Sequence, residues 1–451
     1  MTSQHKDAHG KALSLNLDES IYGTFAEIGA GQEVARWFLS VGAASGTVAQ
    51  TISAYDKKVS DEIYGAGTRY VSKERLLAML DREYQLVLQR LVTIRGEETR
   101  FFAFADTIAA RNYKGDNEQH GWVGIRFQID PGAPPSQILL HVNLGDQSAT
   151  LQQQAVGILG VNLIYAAYSQ RADIDEFLSG LYDDLSIDRV EIDVIEFDGP
   201  AFINQDARAW CLALLGRQMS HVIVFDSVGR VVEPASLLRK RPLLVQRGTF
   251  DKVALLDTAS LQSACRMLVA ESGPFEREPV ALTELSVHHV NRAEEVSLDL
   301  MLECIRQLTP HGPVVVSDYP ETYLLARYLR RHSVEPVRFV VSVAAAAKIL
   351  HEAFYQNLPG TLLEGVGRLL ATNVKVYVAP MRRPAFVSAL QDTSGKLTVR
   401  DSGDGMVTLD DLILSDPVCH LLNYLRASSQ IVPLQQSFGS SIRQVHAHSR
   451  N

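Results

Sequence analysis

Hydrophobic positions change period several times along the chain, and each change marks an element. From Asp18, Ile21, Phe25 and Ile28, then Val34, Trp37, Phe38 and Val41, recur at three- and four-residue steps, the period of an amphipathic helix. A second helix begins at Ser72, with Leu76, Leu77, Leu80, Tyr84, Val87, Leu88 and Leu91 on one face and Gly96 as its stop. Three strand patterns follow, FFAFAD (101–106), GWVGIRFQI (121–129) and QILLHVNL (137–144), closed by a long helix from Ala149 to Tyr168. This reads as an α+β unit over 18–171, helices first and a small antiparallel sheet after, behind a loose tail at 1–17.

From Ala172 the grammar becomes alternation. The runs RVEIDVIEF, HVIVFD, PLLVQR, VALTELSV, PVVVSD, VRFVVSV and VKVYVAP are separated by amphipathic helical stretches. Continuous Val/Ile runs between helices mark a mostly parallel sheet covered on both faces. The fold class is therefore α/β, with a doubly wound domain over 172–384 after the α+β unit. Residues 385–451 read as an extension in which PVCHLLNYLRA forms one docking helix.

Composition narrows the function classes. Of 451 residues, 46% are hydrophobic and 21% charged, which excludes a disordered chain. A net charge of -9 argues against a nucleic-acid surface, since phosphate neutralisation needs clustered Lys and Arg. The polar N-terminus and the lack of an apolar run of membrane length predict a cytoplasmic protein without membrane partners. Cys211, Cys265, Cys304 and Cys419 are too scattered for a zinc ladder, so no bound metal is expected beyond a magnesium ion brought in by a phosphorylated substrate. GxxxxGK[ST], HExxH and GxSxG are all missing, which removes the commonest ATPase, zincin and serine-hydrolase readings.

Candidate chemistry concentrates in the small sheet. Alternation puts Val123, Ile125, Phe127 and Ile129 on a core face, leaving Trp122, Arg126, Gln128, His141 and Asn143 opposite. Asp106 ends the first strand, and Arg111, Asn117 and His120 follow in the loop. Arginine matches an anion with several donors, and histidine exchanges protons near neutrality. This predicts Arg126 and Arg111 on the anion and His120 or His141 as general acid/base, oriented by Asp106. Asn117, Gln128 and Asn143 are supporting contacts. Asp226 and Asp318, at strand ends in the second domain, are further substrate-binding candidates. Gly29 and Gly31 open like a dinucleotide fingerprint, but the expected helix before them and Val34 at the third position point instead to glycines interrupting a helix.

FAEIGAGQEVARWF, GTVAQTISAYD, FFAFADTIAARN, NEQHGWVGIRFQ and LGVNLIYAAY resemble an uncharacterised bacterial cytosolic family of about this length. Its members carry the labels nicotinate-nucleotide adenylyltransferase or TonB-dependent receptor. No barrel patterning accompanies the second label. The first implies nucleotidyl transfer to nicotinate mononucleotide. The HxGH motif that this activity uses is missing, His288 and His289 being adjacent without the glycine, so no catalytic residue carries over. The expectation is an enzyme, with nucleotidyl transfer as the class the resemblance implies, acting on a nucleotide-like or phosphorylated small-molecule substrate. The alternative is a non-catalytic metabolite-binding or scaffold protein acting as a homo-oligomer. The sequence names no cofactor.

Overall fold

A computed structural model describes residues 6–248, 250, 258–287, 297–390, 398–400 and 405–434. By internal contacts the chain divides into two compact units, 1–225 with 230–234, and 226–229 with 235–451. The first unit runs α1 (Ala8–Asn16), β1 (Ile21–Ile28), α2 (Glu33–Ser40), β2 (Val48–Ile52), α3 (Lys57–Tyr64), α4 (Lys73–Arg95), β3 (Arg100–Ala109), β4 (His120–Phe127), β5 (Ser136–Leu144), α5 (Ala149–Ser169), α6 (Ile174–Leu181), β6 (Val190–Asp198), α7 (Ala207–Gly216) and β7 (Val222–Phe225). Its principal sheet has the order β2-β1-β3-β4-β5-β6, parallel across β2-β1-β3 and antiparallel from β3 to β6.

Three local expectations change. Residues 21–28 form a strand, because Phe25 lies between parallel neighbours and packs on Phe38 and Phe102, so tertiary burial overrides a three-to-four spacing. The tail expected at 1–17 contains α1, capped by Asp7 and anchored by the buried Lys11 ammonium, which donates to Asn162 Oδ1 and the Gly180 carbonyl. The run RVEIDVIEF is β6, antiparallel to β5, so the unit continues to Phe225 instead of ending at 171.

Both faces of this sheet are covered. On one, Gly160 of α5 meets Val34 and Phe104 so closely that a Cβ there would lie 2.3 Å from the valine. On the other, Leu76 of α4 sits against Gly124. Ala103, Ala105 and Gly124, small residues of that second face, let α4 approach. The polar row of β4 and β5 is thus largely enclosed, with Trp122 and His141 each only 2% exposed.

The second unit is the expected parallel sheet, in the order 431–433, 374–379, 337–342, 243–248, 280–286, 314–317. The chain winds outward one way from 243–248 and the other way from 337–342, a doubly wound arrangement. PVCHLLNYLRA forms the helix Val418–Ala427, and the strand after it joins the sheet edge. Leu422, Leu425 and Ile431 of this segment are therefore buried in the unit. His288 and His289 lie outside the described residues.

Candidate functional site

The histidines come together by register. Cross-strand pairing sets Trp122 opposite His141 and His120 opposite Asn143. His120 Nδ1 and His141 Nε2 lie 3.0 Å apart. Between His141 and Val142 the β5–β6 register slips, pairing His141 with Val194 and Val142 with Ile192 and leaving Asp193 as the extra residue of a bulge. Asp193 Oδ1 is 2.6 Å from His141 Nδ1, and its Oδ2 accepts from Asn143 Nδ2 at 2.8 Å. The fourth member is Glu233. β7 turns back through Gly229, whose φ is +81°, and Val232 donates to the Val224 carbonyl. That brings Glu233 Oε1 to 3.9 Å from both His120 Nδ1 and His141 Nε2.

Electrostatics follow from this shell. Burial alone pushes the His141 imidazole toward its neutral form, but the charge and hydrogen bond of Asp193, with the charges of Glu233 and Glu191, outweigh it and raise the pKa. Neutral His141, donating to Asp193 from Nδ1, presents its Nε2 lone pair to His120. When protonated it donates from both nitrogens and His120 accepts. The arrangement lines up Asp193, His141 and His120 at hydrogen-bond distances, a geometry along which a proton can pass, with a second carboxylate beside it.

A cavity of about 370 Å³ lies at the same end of the sheet, lined by Gly29, Lys57, Ser60, Tyr70 and Arg111 among others. Two further lining residues, Thr107 and Ala109, are the register partners of Trp122 and His120. The buried Ser60 hydroxyl has no hydrogen-bond partner among the described residues. Lys57 and Arg111 make the rim cationic, and Gly29, at φ +100°, lets the chain turn where a Cβ would lie 1.8 Å from the Ile108 carbonyl oxygen.

Of the residues expected from sequence, His120, His141 and Asn143 converge, and Arg111 lines the neighbouring cavity. Asp106 does not orient a histidine. It pairs with Val123, so alternation sends its side chain to the core face, next to Glu27. There burial pushes both carboxyls up, Glu27 to about 7 and Asp106 well above the ordinary range. Both Glu27 oxygens accept N–H groups, from Val34 and Ala35, whereas Asp106 accepts only the Ile28 N–H, so the fully enclosed Asp106 is pushed further toward its neutral form. Arg126 sits six residues along β4 from His120, roughly 20 Å away, where it binds Gln137 and Asp81. Gln128 closes the strand end onto Phe101 N and the Ala133 carbonyl. Asn117 braces its own loop. Asp226 caps the turn at Val228 N, and Asp318 follows the strand Val314–Ser317. Both belong to the second unit, whereas the histidines belong to the first.

The glycine pair also has a different meaning. A strand precedes it and a helix and parallel strand follow, so β1–Gly29–Gly31–α2–β2 is a βαβ unit after all. The N-terminus of α2, where such a unit holds a phosphate, is filled by Glu27's carboxylate.

The first unit thus defines a mixed-sheet α/β protein in which a His–His–carboxylate cluster lies next to the strand residues that line a cavity. Among solved structures the chain is similar to a competence/damage-inducible protein, CihA, from Agrobacterium tumefaciens, at 20% identity over 37% of this chain and 98% of that one, with a TM-score of 0.28. It is also similar to a competence-damaged protein (CinA) superfamily member from Enterobacter cloacae, at 11% identity over 37% and 95%, with a TM-score of 0.27. No family model matches the chain, and no curated protein matches it. Likeness at this level assigns no activity. No helix among the described residues is long and apolar enough to cross a membrane.

Proposed function

We propose that the chain is an enzyme for a small, anion-bearing metabolite, phosphorylated or nucleotide-like, bound in the first unit's cavity. The observation that carries this reading is adjacency: Thr107 and Ala109 line the cavity, and their cross-strand partners Trp122 and His120 belong to the histidine centre. Lys57 and Arg111 offer the anion its charge partners, and Ser60 offers a hydroxyl in need of one. The Asp193–His141–His120 relay supplies acid/base chemistry at the cavity's edge. Magnesium accompanying a phosphorylated substrate fits this reading.

The test is a thermal-shift screen of the full chain with phosphorylated metabolites, including nicotinate mononucleotide with ATP. At least one anionic compound should raise Tm. Arg111→Ala should weaken it about tenfold to a hundredfold, the worth of one charge-assisted contact. His141→Ala should abolish turnover while binding persists. A screen in which no anion stabilises the protein, or in which Arg111→Ala leaves the response unchanged, refutes the proposal.

A further inference from the structure

We infer that His120 Nδ1, His141 Nε2 and Glu233 Oε1 form a binding site for one divalent transition-metal ion of zinc-like size. The three atoms make a triangle with sides of 3.0, 3.9 and 3.9 Å. Its circumcentre lies about 2.1 Å from each corner, inside the ~2.0–2.2 Å range that zinc takes to imidazole nitrogen and carboxylate oxygen. A cation at that point would lie within ligand distance of all three donors once the proton between the two imidazoles is displaced. Three protein ligands leave further coordination positions unfilled, the count of a reactive rather than a purely structural site.

The surroundings fit a metal as well as the triangle does. Asp193 holds His141 by Nδ1, which fixes the tautomer that directs the Nε2 lone pair toward the other two donors. Asn143 in turn holds Asp193, so the ligand has an oriented support of two residues. Two imidazoles with one carboxylate favour first-row transition ions, whereas magnesium and calcium take oxygen ligands. Trp122, whose ring is tilted against that of His141 with centroids 5.1 Å apart, keeps a buried indole N–H for which the described residues supply no acceptor. Buried donors are nearly always satisfied, so this one calls for an acceptor such as a water or an anion, since an N–H does not itself ligate a cation. The ligands come from β4, β5 and the segment after β7, and their spread over more than a hundred residues explains why no ligand spacing is readable.

The inference rests on the reading above only in treating this cluster as the reactive centre. A bound ion would take the two nitrogens that face each other across the His120–His141 contact, so with the ion in place proton transfer would pass to a group it binds instead of directly between the imidazoles. Metal retention is measured without substrate, so its failure leaves the cavity's anion binding to be judged separately by Arg111→Ala. The full chain is stripped with chelator, reloaded with Zn²⁺ or Co²⁺ and desalted, and the metal is counted by elemental analysis. About one ion per chain is expected at the triangle. It should be lost in His120→Ala and in Glu233→Gln, and it should survive Cys419→Ser combined with His420→Ala, which removes the exposed Asp416–Cys419–His420 set. Asp193→Asn should weaken affinity about tenfold to a hundredfold, as expected of a supporting carboxylate. Wild-type affinity should also fall with falling pH, because a proton on His141 competes for the same lone pair. Should the variants fail to fold, the wild-type Co²⁺ absorption decides: an intense visible band of a low-coordinate site supports the assignment, and the pale spectrum of the aquo ion overturns it. Retention unchanged by His120→Ala and Glu233→Gln, or lost only with the Cys419/His420 change, also overturns it.

Discussion

Replacing Asp193 by asparagine tests the histidine centre through stability alone. The change keeps the shape and removes the charge that His141 Nδ1 faces at 2.6 Å. A charge-assisted buried hydrogen bond is worth about 1.5–3 kcal/mol, which sets the loss expected where His141 is protonated. The pH dependence is more diagnostic. His141 has its pKa raised above 6.5 in the folded protein, so between 6.5 and the folded value the native state binds a proton that the unfolded chain does not. Stability from this pair is then fully present below pH 6.5 and is lost as pH rises through the folded pKa. The slope across that window is at most about 1.4 kcal/mol per pH unit. Asp193→Asn should flatten this slope, so its deficit is largest near pH 6 and shrinks toward pH 9. All three tryptophans, Trp37, Trp122 and Trp210, lie in the first unit, so urea unfolding followed by tryptophan fluorescence in chelator reports that unit. Equal slopes in both proteins, or a deficit as large at pH 9 as at pH 6, would refute the reasoning.

Two further substitutions separate structure from function. Lys11→Met should cost about 3–5 kcal/mol by the same fluorescence assay, because Asp183, Asn162 and the Gly180 carbonyl lose their shared cation inside the fold; a change below 1 kcal/mol would show that α1 is dispensable. Arg126→Ala should cost no more than about 1 kcal/mol, since its ionic partner Asp81 is 65% exposed. It should also leave metabolite binding intact, and a lost thermal-shift response would return Arg126 to the site.

Alternation made the site's core legible. Once β4 and β5 were recognised, parity alone placed Trp122, His141 and Asn143 on one face and Val123 on the other. Parity also contained the correction for Asp106, whose place opposite Val123 sends it to the core, but that depends on the β3–β4 register, which the strands do not reveal singly. Asp193 was hidden twice. Its strand reads like the parallel strands that follow, and its orientation depends on a one-residue bulge that leaves no mark in the hydrophobic pattern. Glu233 sits beyond a short strand and a turn, where no periodicity exists to read. The 21–28 segment shows the opposite failure. Its spacing suits a helix, and only the parallel neighbours on both sides make it a strand. In the second unit, long Val-rich runs had no competing interpretation, so the parallel sheet was readable directly.

Glu27 has a consequence for ligand traffic. Its carboxylate is tied to the amides of Val34 and Ala35 by a six-residue stretch of its own chain, through Gly29 and Gly31. A short flexible tether already gives roughly millimolar effective concentration, and this one is held rigidly between a strand and a helix. A diffusing phosphate must compete with this tethered occupant for the same two amides. The cap ties α2 to β1 through the chain's own atoms. An incoming anion must find its charge partners among side chains at the cavity rim instead of among backbone amides, which makes its affinity sensitive to single substitutions and to salt.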